Sequence, residues 1–133
     1  MPEKTFVDTS AFFAFLNKSD VNHQAAKKRL SGSGVKVTSN FIFDELITLM
    51  MARDQKDLSV SFGEKLRSGA LVQYHFLKES EEEKAWTVYQ KYSDHVLSFT
   101  DCTTLALLGE YKNVRLLSFD EGLMRLARHF EGT

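Results

Sequence analysis

Four acidic residues, Asp8, Glu45, Asp101 and Asp120, each stand just past an apolar, strand-like run or early in the helix-like segment that follows it. An α/β sheet gathers the carboxyl ends of its strands along one edge, so acids scattered through the chain can converge there. Carboxylates brought close together repel, and a fold keeps such a group mainly when a cation neutralises it. Oxygen donors without a matching set of histidines or cysteines favour Mg²⁺ or Mn²⁺ over zinc. An ion held by a few carboxylates retains waters and takes phosphate oxygens, which points to phosphoryl chemistry by metal-activated water. Taken singly, Asp8, Asp101 and Asp120 also read as ordinary acids at helix N-termini. Their recurrence at three strand exits, with Glu45 embedded in an apolar helix face, is what singles them out.

The elements that must position these acids alternate. Thr5-Phe6-Val7 reads as a strand, and Asp8-Thr9-Ser10 can cap a helix through Ala11 to Leu16. A second helix from Asp20 to Leu30 stops at Ser31-Gly32-Ser33-Gly34, and Val35 to Thr38 makes the second strand. Ser39 and Asn40 can cap a helix from Phe41 to Arg53 that sets Glu45 beside the core. Asp54 to Ser68 reads as a more polar helix ended by Gly69, with a strand from Leu71 to Phe76 after it. Ser80-Glu81-Glu82-Glu83 fits a capping box opening a helix to Tyr92. His95 to Phe99 reads as strand four, Thr100 to Tyr111 as a helix, Val114 to Phe119 as strand five, and Asp120 to Phe130 as the last helix. Such alternation predicts an α/β fold with a mainly parallel sheet covered on both faces.

The 133 residues, 43% of them apolar and with no evident linker or repeat, predict one domain spanning 1–133. Seventeen basic residues against 18 acidic ones leave a formal net charge of −1, so overall charge does not advertise nucleic-acid binding. The one cysteine, Cys102, excludes an intramolecular disulfide and a cysteine zinc cluster. The start Met1-Pro2-Glu3-Lys4 lacks the basic and apolar stretches of a signal peptide, and no membrane-length apolar run follows, so the expectation is a cytoplasmic protein.

At Phe6-Val7-Asp8-Thr9-Ser10-Ala11, Asp20-x-x-His23-x-x-Ala26, Glu45, Ser98-Phe99-Thr100-Asp101 and Ser118-Phe119-Asp120 the chain resembles PIN-domain proteins. The likeness is closer still to the VapC-type toxin ribonucleases of type II toxin–antitoxin pairs. The resemblance covers nearly the whole chain. It implies a five-stranded parallel sheet in a three-layer α/β/α sandwich, a homodimer, and a small antitoxin that covers the active-site groove. It also implies a metal-dependent endoribonuclease that leaves a 5′-phosphate and a 3′-hydroxyl. Asp8, Glu45 and Asp101 would be the central metal-site acids, with Asp120 completing the cluster directly or through water. Thr9, Ser10 and Ser118 would orient carboxylates or waters around them. Cys102 stands where many relatives have alanine, and Glu121-Gly122-Leu123 where they often carry another acid and then phenylalanine.

An RNA substrate needs cations near an acidic groove, and Lys18, Arg125, Arg128 and His129 are the candidates. Lys27-Lys28-Arg29 is explained by the helix dipole alone, and His23 by capping or packing. Phe12, Phe13 and Phe15 cannot all face one core, so at least one is expected to meet a partner chain. Other classes make different demands. A binding or scaffold protein without turnover needs no intact acid set, whereas a housekeeping RNA-processing nuclease needs the acids but no antitoxin. A receiver or dehalogenase-like phosphotransfer domain places a different residue two positions after its first aspartate than Ser10.

Overall fold

The computed structural model describes residues 3–131. Strand β1 (Lys4–Val7) leads into helix α1 (Thr9–Leu16) and helix α2 (His23–Ser31). Strand β2 (Val35–Ser39) is followed by helices α3 (Asn40–Ala52) and α4 (Lys56–Arg67), and strand β3 (Gln73–His75) by α5 (Glu79–Lys91) and α6 (Phe99–Leu108). Strand β4 (Val114–Leu117) and helix α7 (Glu121–Ala127) complete the order. The strands lie in the order β3-β2-β1-β4, all parallel, with Val7 opposite Leu117 and Phe6 opposite Val37.

Right-handed crossovers dictate the layers. The steps from β1 to β2 and from β2 to β3 move the same way across the sheet, so α1 to α4 cover one face. The return from β3 to β4 carries α5 and α6 over the other. Between them Phe6, Val7, Val37, Ile42, Leu46, Leu105, Leu108 and Leu116 are buried. Truncating any of the larger ones to alanine is expected to cost about 2–5 kcal/mol. Phe12, buried, and Phe15, half-buried, pack on Phe62, and Phe13, also half-buried, lies under the Arg53 guanidinium.

The α/β class and parallel sheet match the expectation, but the described residues hold four strands rather than five. His95 to Phe99 is not a strand: it is a turn and an extended connector, with Phe99 already in α6. Its inside–outside alternation is genuine, since Leu97 packs on the core while Val96 stands fully in solvent. No neighbouring strand offers it backbone partners, because α5 and α6 pack directly on each other.

Two helix starts also shift. Asp20 Oδ1 accepts from Asn22 N at 2.8 Å and holds a turn, so α2 begins at His23. Helix α5 starts at Glu79, where Glu81 rather than Glu83 closes back on the Lys78 N–H at 2.8 Å. Among the described residues no helix is long and apolar enough to cross a membrane.

Candidate active site

β1 is the topological switch point. Its helical connection departs toward β2, while β4 lies on its other side, and parallel α/β sheets open a crevice at the carboxyl ends of strands so arranged. Asp8 leaves β1 there and Ser118 leaves β4. The two exits are pinned together: Asp8 N donates to Leu117 O at 3.0 Å, and Phe119 N to Ser10 Oγ at 2.9 Å.

Asp8 sits at the N-cap of α1, yet its carboxylate makes no cap bond. It is 4% exposed, and its Oδ2 accepts from Ser118 Oγ at 2.8 Å and from Ser10 Oγ at 3.0 Å. Ser118 Oγ in turn accepts from Asp120 N at 3.1 Å, so the hydroxyl proton is free for Asp8. The other oxygen, Asp8 Oδ1, is buried without a hydrogen-bond partner. Burial pushes the Asp8 carboxyl above its ordinary value, and the bonds from Ser118 and Ser10 offset only part of that.

Asp101 lies in the first turn of α6, fixed by a reciprocal capping box with Ser98. Asp101 Oδ2 accepts from Ser98 N, and Asp101 N donates to Ser98 Oγ, both at 3.0 Å. Its pKa is pushed up to about 6, first by burial and then by the charges of Asp8, Glu45 and Asp120, against the lowering bond from Ser98. Asp8, Glu45 and Asp120 thus each lie within electrostatic reach of Asp101. Glu45 is half-buried on α3, and Asp120 is exposed at the N-cap of α7, where its Oδ1 accepts from Leu123 N at 3.1 Å.

Among the described residues no three His, Cys, Asp or Glu side chains converge closely enough to hold a metal ion by themselves. The donor set fits a hard, largely hydrated cation, which takes one or two carboxylates directly and the rest through water. Asp8 Oδ1 is the open acceptor for it.

Of the hydroxyls, Ser10 and Ser118 grip Asp8, whereas Thr9 Oγ1 is buried without a partner and does not touch the carboxylate. Arg125 and Arg128 line a hollow of about 470 Å³ together with Ser118 and Phe119, which sets their charges beside the crevice. Lys18 stands exposed on the turn after α1. His23 Nδ1 donates to Ala14 O at 2.8 Å and so ties α2 to α1, a packing role. Cys102, beside Asp101, is buried, and burial together with the Asp101 charge pushes its thiol up to about 11, so it is no nucleophile.

Sequence reasoning missed a second network. Glu81 is 6% exposed and accepts from His75 Nε2 at 2.8 Å, while His75 Nδ1 meets the Tyr111 hydroxyl at 2.7 Å. The spacing Glu81, Ala85, Val88, Tyr92 marks the inner face of α5 and could have revealed it.

A parallel sheet with an acid cluster at its switch point is a nuclease-like architecture, and the chain belongs to the PIN domain family, whose model matches residues 5–129. It is 29% identical over 116 residues to the 23S rRNA-specific endonuclease VapC20 of Mycobacterium tuberculosis, covering 86% of this chain and 88% of the relative, in each of two strains. The crystal structure of that organism's VapC20, described as a sarcin–ricin loop cleaving toxin, superposes with a TM-score of 0.83 at 28% identity. The superposition covers 91% of this chain and 93% of that one.

Proposed function

We propose that this chain is a metal-dependent endoribonuclease, the toxin of a toxin–antitoxin pair, that hydrolyses RNA phosphodiesters with water. The observation that carries the reading is the Asp8 carboxylate, buried with one oxygen clasped by two serines and the other without a partner, within electrostatic reach of Asp101. Mg²⁺ or Mn²⁺ bound there would neutralise the reacting phosphate and acidify a water. The protein's own part is positioning. Ser10 and Ser118 hold one Asp8 oxygen and leave the other without a partner, Ser98 fixes Asp101, and the Leu123 N–H holds Asp120. Glu45 adds negative charge from α3, and Arg125 and Arg128 offer cations to flanking phosphates.

The likeness to VapC20 makes ribosomal RNA, and the sarcin–ricin loop first of all, the substrate to try. A small cognate antitoxin, a homodimer and a cytoplasmic setting are further parts of the proposal. A protein that binds RNA without cutting it is the second reading.

End-labelled RNA incubated with Mg²⁺ or Mn²⁺, with EDTA, and with Asp8→Asn and Asp101→Asn proteins in parallel separates the two. Metal-dependent cutting lost in both variants supports the nuclease. RNA binding by a folded wild type that never cuts supports the binding module, and cutting that persists in both variants overturns the assigned site.

A further inference from the structure

A hollow of about 440 Å³ lies along α5 and the connector to α6, lined by Trp86, Tyr89, Gln90, Tyr92, His95 and Leu97 among others. Its rings are ordered. Trp86 and Tyr89, one turn apart on α5, stand 5.6 Å between centroids and 13° from parallel, and Tyr92 meets His95 edge to face at 5.4 Å. The stacked pair remains in water, Trp86 48% and Tyr89 44% exposed.

The stack also leads somewhere. Trp86 and Tyr89 each contact Phe99 at 6.4 Å, and Phe99 contacts Phe41 at 5.8 Å. Phe99 is the first residue of α6, two before Asp101, and Phe41 precedes Glu45 by one helical turn. A continuous aromatic path thus joins the hollow to the two helices that carry Glu45 and Asp101.

We propose that this hollow is a nucleobase subsite, in which an unpaired base of the RNA strand stacks on the Trp86–Tyr89 pair while the backbone runs on to the acid cluster. The proposal rests on the ribonuclease reading and adds to it the part of the substrate that is held. Single-stranded RNA is bound mainly by stacking of splayed bases on aromatic faces, with hydrogen bonds to the base edges. Gln90, Ser93 and His95 supply donors and acceptors for those edges. A different hollow, between α3 and α4, has the aliphatic lining expected of a protein-helix groove, with Ile47, Met51 and Val60 beside Phe43. The aromatic hollow differs in that flat rings and polar groups share one wall.

Trp86 is the only tryptophan in the chain, so its emission reports this hollow alone. The Asp8→Asn protein, which cannot turn substrate over on this reading, would be titrated with a short unpaired oligoadenylate, and an abasic ribose–phosphate strand of the same length would serve as control. The expected result is saturable quenching by the oligoadenylate and none by the abasic strand. Adding Tyr89→Ala should weaken binding about five-fold or more, and Tyr89→Phe should restore it. Thermal melts check folding, since Tyr89 is exposed while Ala85 carries the buried face of α5.

Unchanged Trp86 emission and unchanged affinity in Tyr89→Ala, with RNA still cut by the wild type, would overturn the subsite and leave the nuclease standing. Quenching without cutting of any RNA would sink the nuclease and keep the base site. An emission change that follows protein concentration without RNA, with Tyr89→Ala converting dimer to monomer in sedimentation, would assign the face to a second copy and overturn the proposal.

Discussion

Asp8 and Glu81 are both nearly excluded from water, at 4% and 6% exposure, yet their surroundings treat negative charge in opposite ways. Burial is the largest influence on each and pushes both carboxyls up. Around Glu81 the Lys78 N–H and the His75 ring overcome it and hold the group below its ordinary value of 4.5. Around Asp8 the two serine hydroxyls do not suffice, and an oxygen is left open. A buried carboxylate whose donors outweigh the cost of its burial is structural. One whose donors fall short, within electrostatic reach of Asp101, is set up to receive something from outside.

Neutralising substitutions break the comparison most sharply. Asp8→Asn and Asp101→Asn are each expected to lower RNA cleavage by at least about a hundred-fold. Asp101→Asn should leave the fold as stable as the wild type or more so, by on the order of 1 kcal/mol after allowing for solvent screening. Glu81→Gln should do the reverse, costing about 1–3 kcal/mol in denaturant unfolding while each folded molecule cuts as before. Equal destabilisation by the two kinds of change would erase the distinction drawn here.

Metal sharpens it next. Mg²⁺ at a hundred times its dissociation constant should stabilise the wild type by about 2.7 kcal/mol, seen as a higher melting temperature, and should leave Asp8→Asn unmoved.

The pH dependence follows from the signs. Asp101 is raised from 3.8 to about 6, so between those values the folded state retains a proton that the unfolded chain has lost. Stability without metal should therefore fall as pH rises through that window, and Asp101→Asn should flatten the slope. Glu81, being lowered, contributes stability that is present above 4.5 and lost as pH falls through its folded value. Unfolding curves of the two variants, followed from well below pH 4.5 up through about 6, would separate the contributions. The smallest effect is expected at the far end of the Glu81 chain, where Tyr111→Phe should cost about 1 kcal/mol and change neither cleavage nor metal response.

The layout of the molecule was legible where local chemistry and long-range pairing agree. Apolar runs at Phe6-Val7 and Leu116-Leu117 are strands because each finds a neighbour, and the acids after them follow from the way a parallel sheet ends. His95 to Phe99 shows the limit: its alternation is that of a strand, but a strand exists only with a partner, and periodicity carries no information about who lies alongside. Ser10 and Ser118 were legible as hydroxyls near strand exits. Thr9 looked the same in sequence, but its hydroxyl makes no bond to the carboxylate. Glu81 was hidden within a run of acids that reads as a solvated helix start, because burial of one member depends on His75 and Tyr111, which arrive from other parts of the chain. The Trp86–Tyr89 stack was hidden for a related reason, since its link to the acids passes through Phe99 and Phe41 and not along the sequence.

The clasp on Asp8 also orders events in time. Ser10 and Ser118 lie 108 residues apart, and the second reaches the carboxylate only when β4, the last strand, has docked beside β1. A growing chain that has produced every other strand still carries Asp8 without its second grip. The Asp8 environment is thereby tied to completion of the sheet: it is assembled only when the strand made last has found the strand made first.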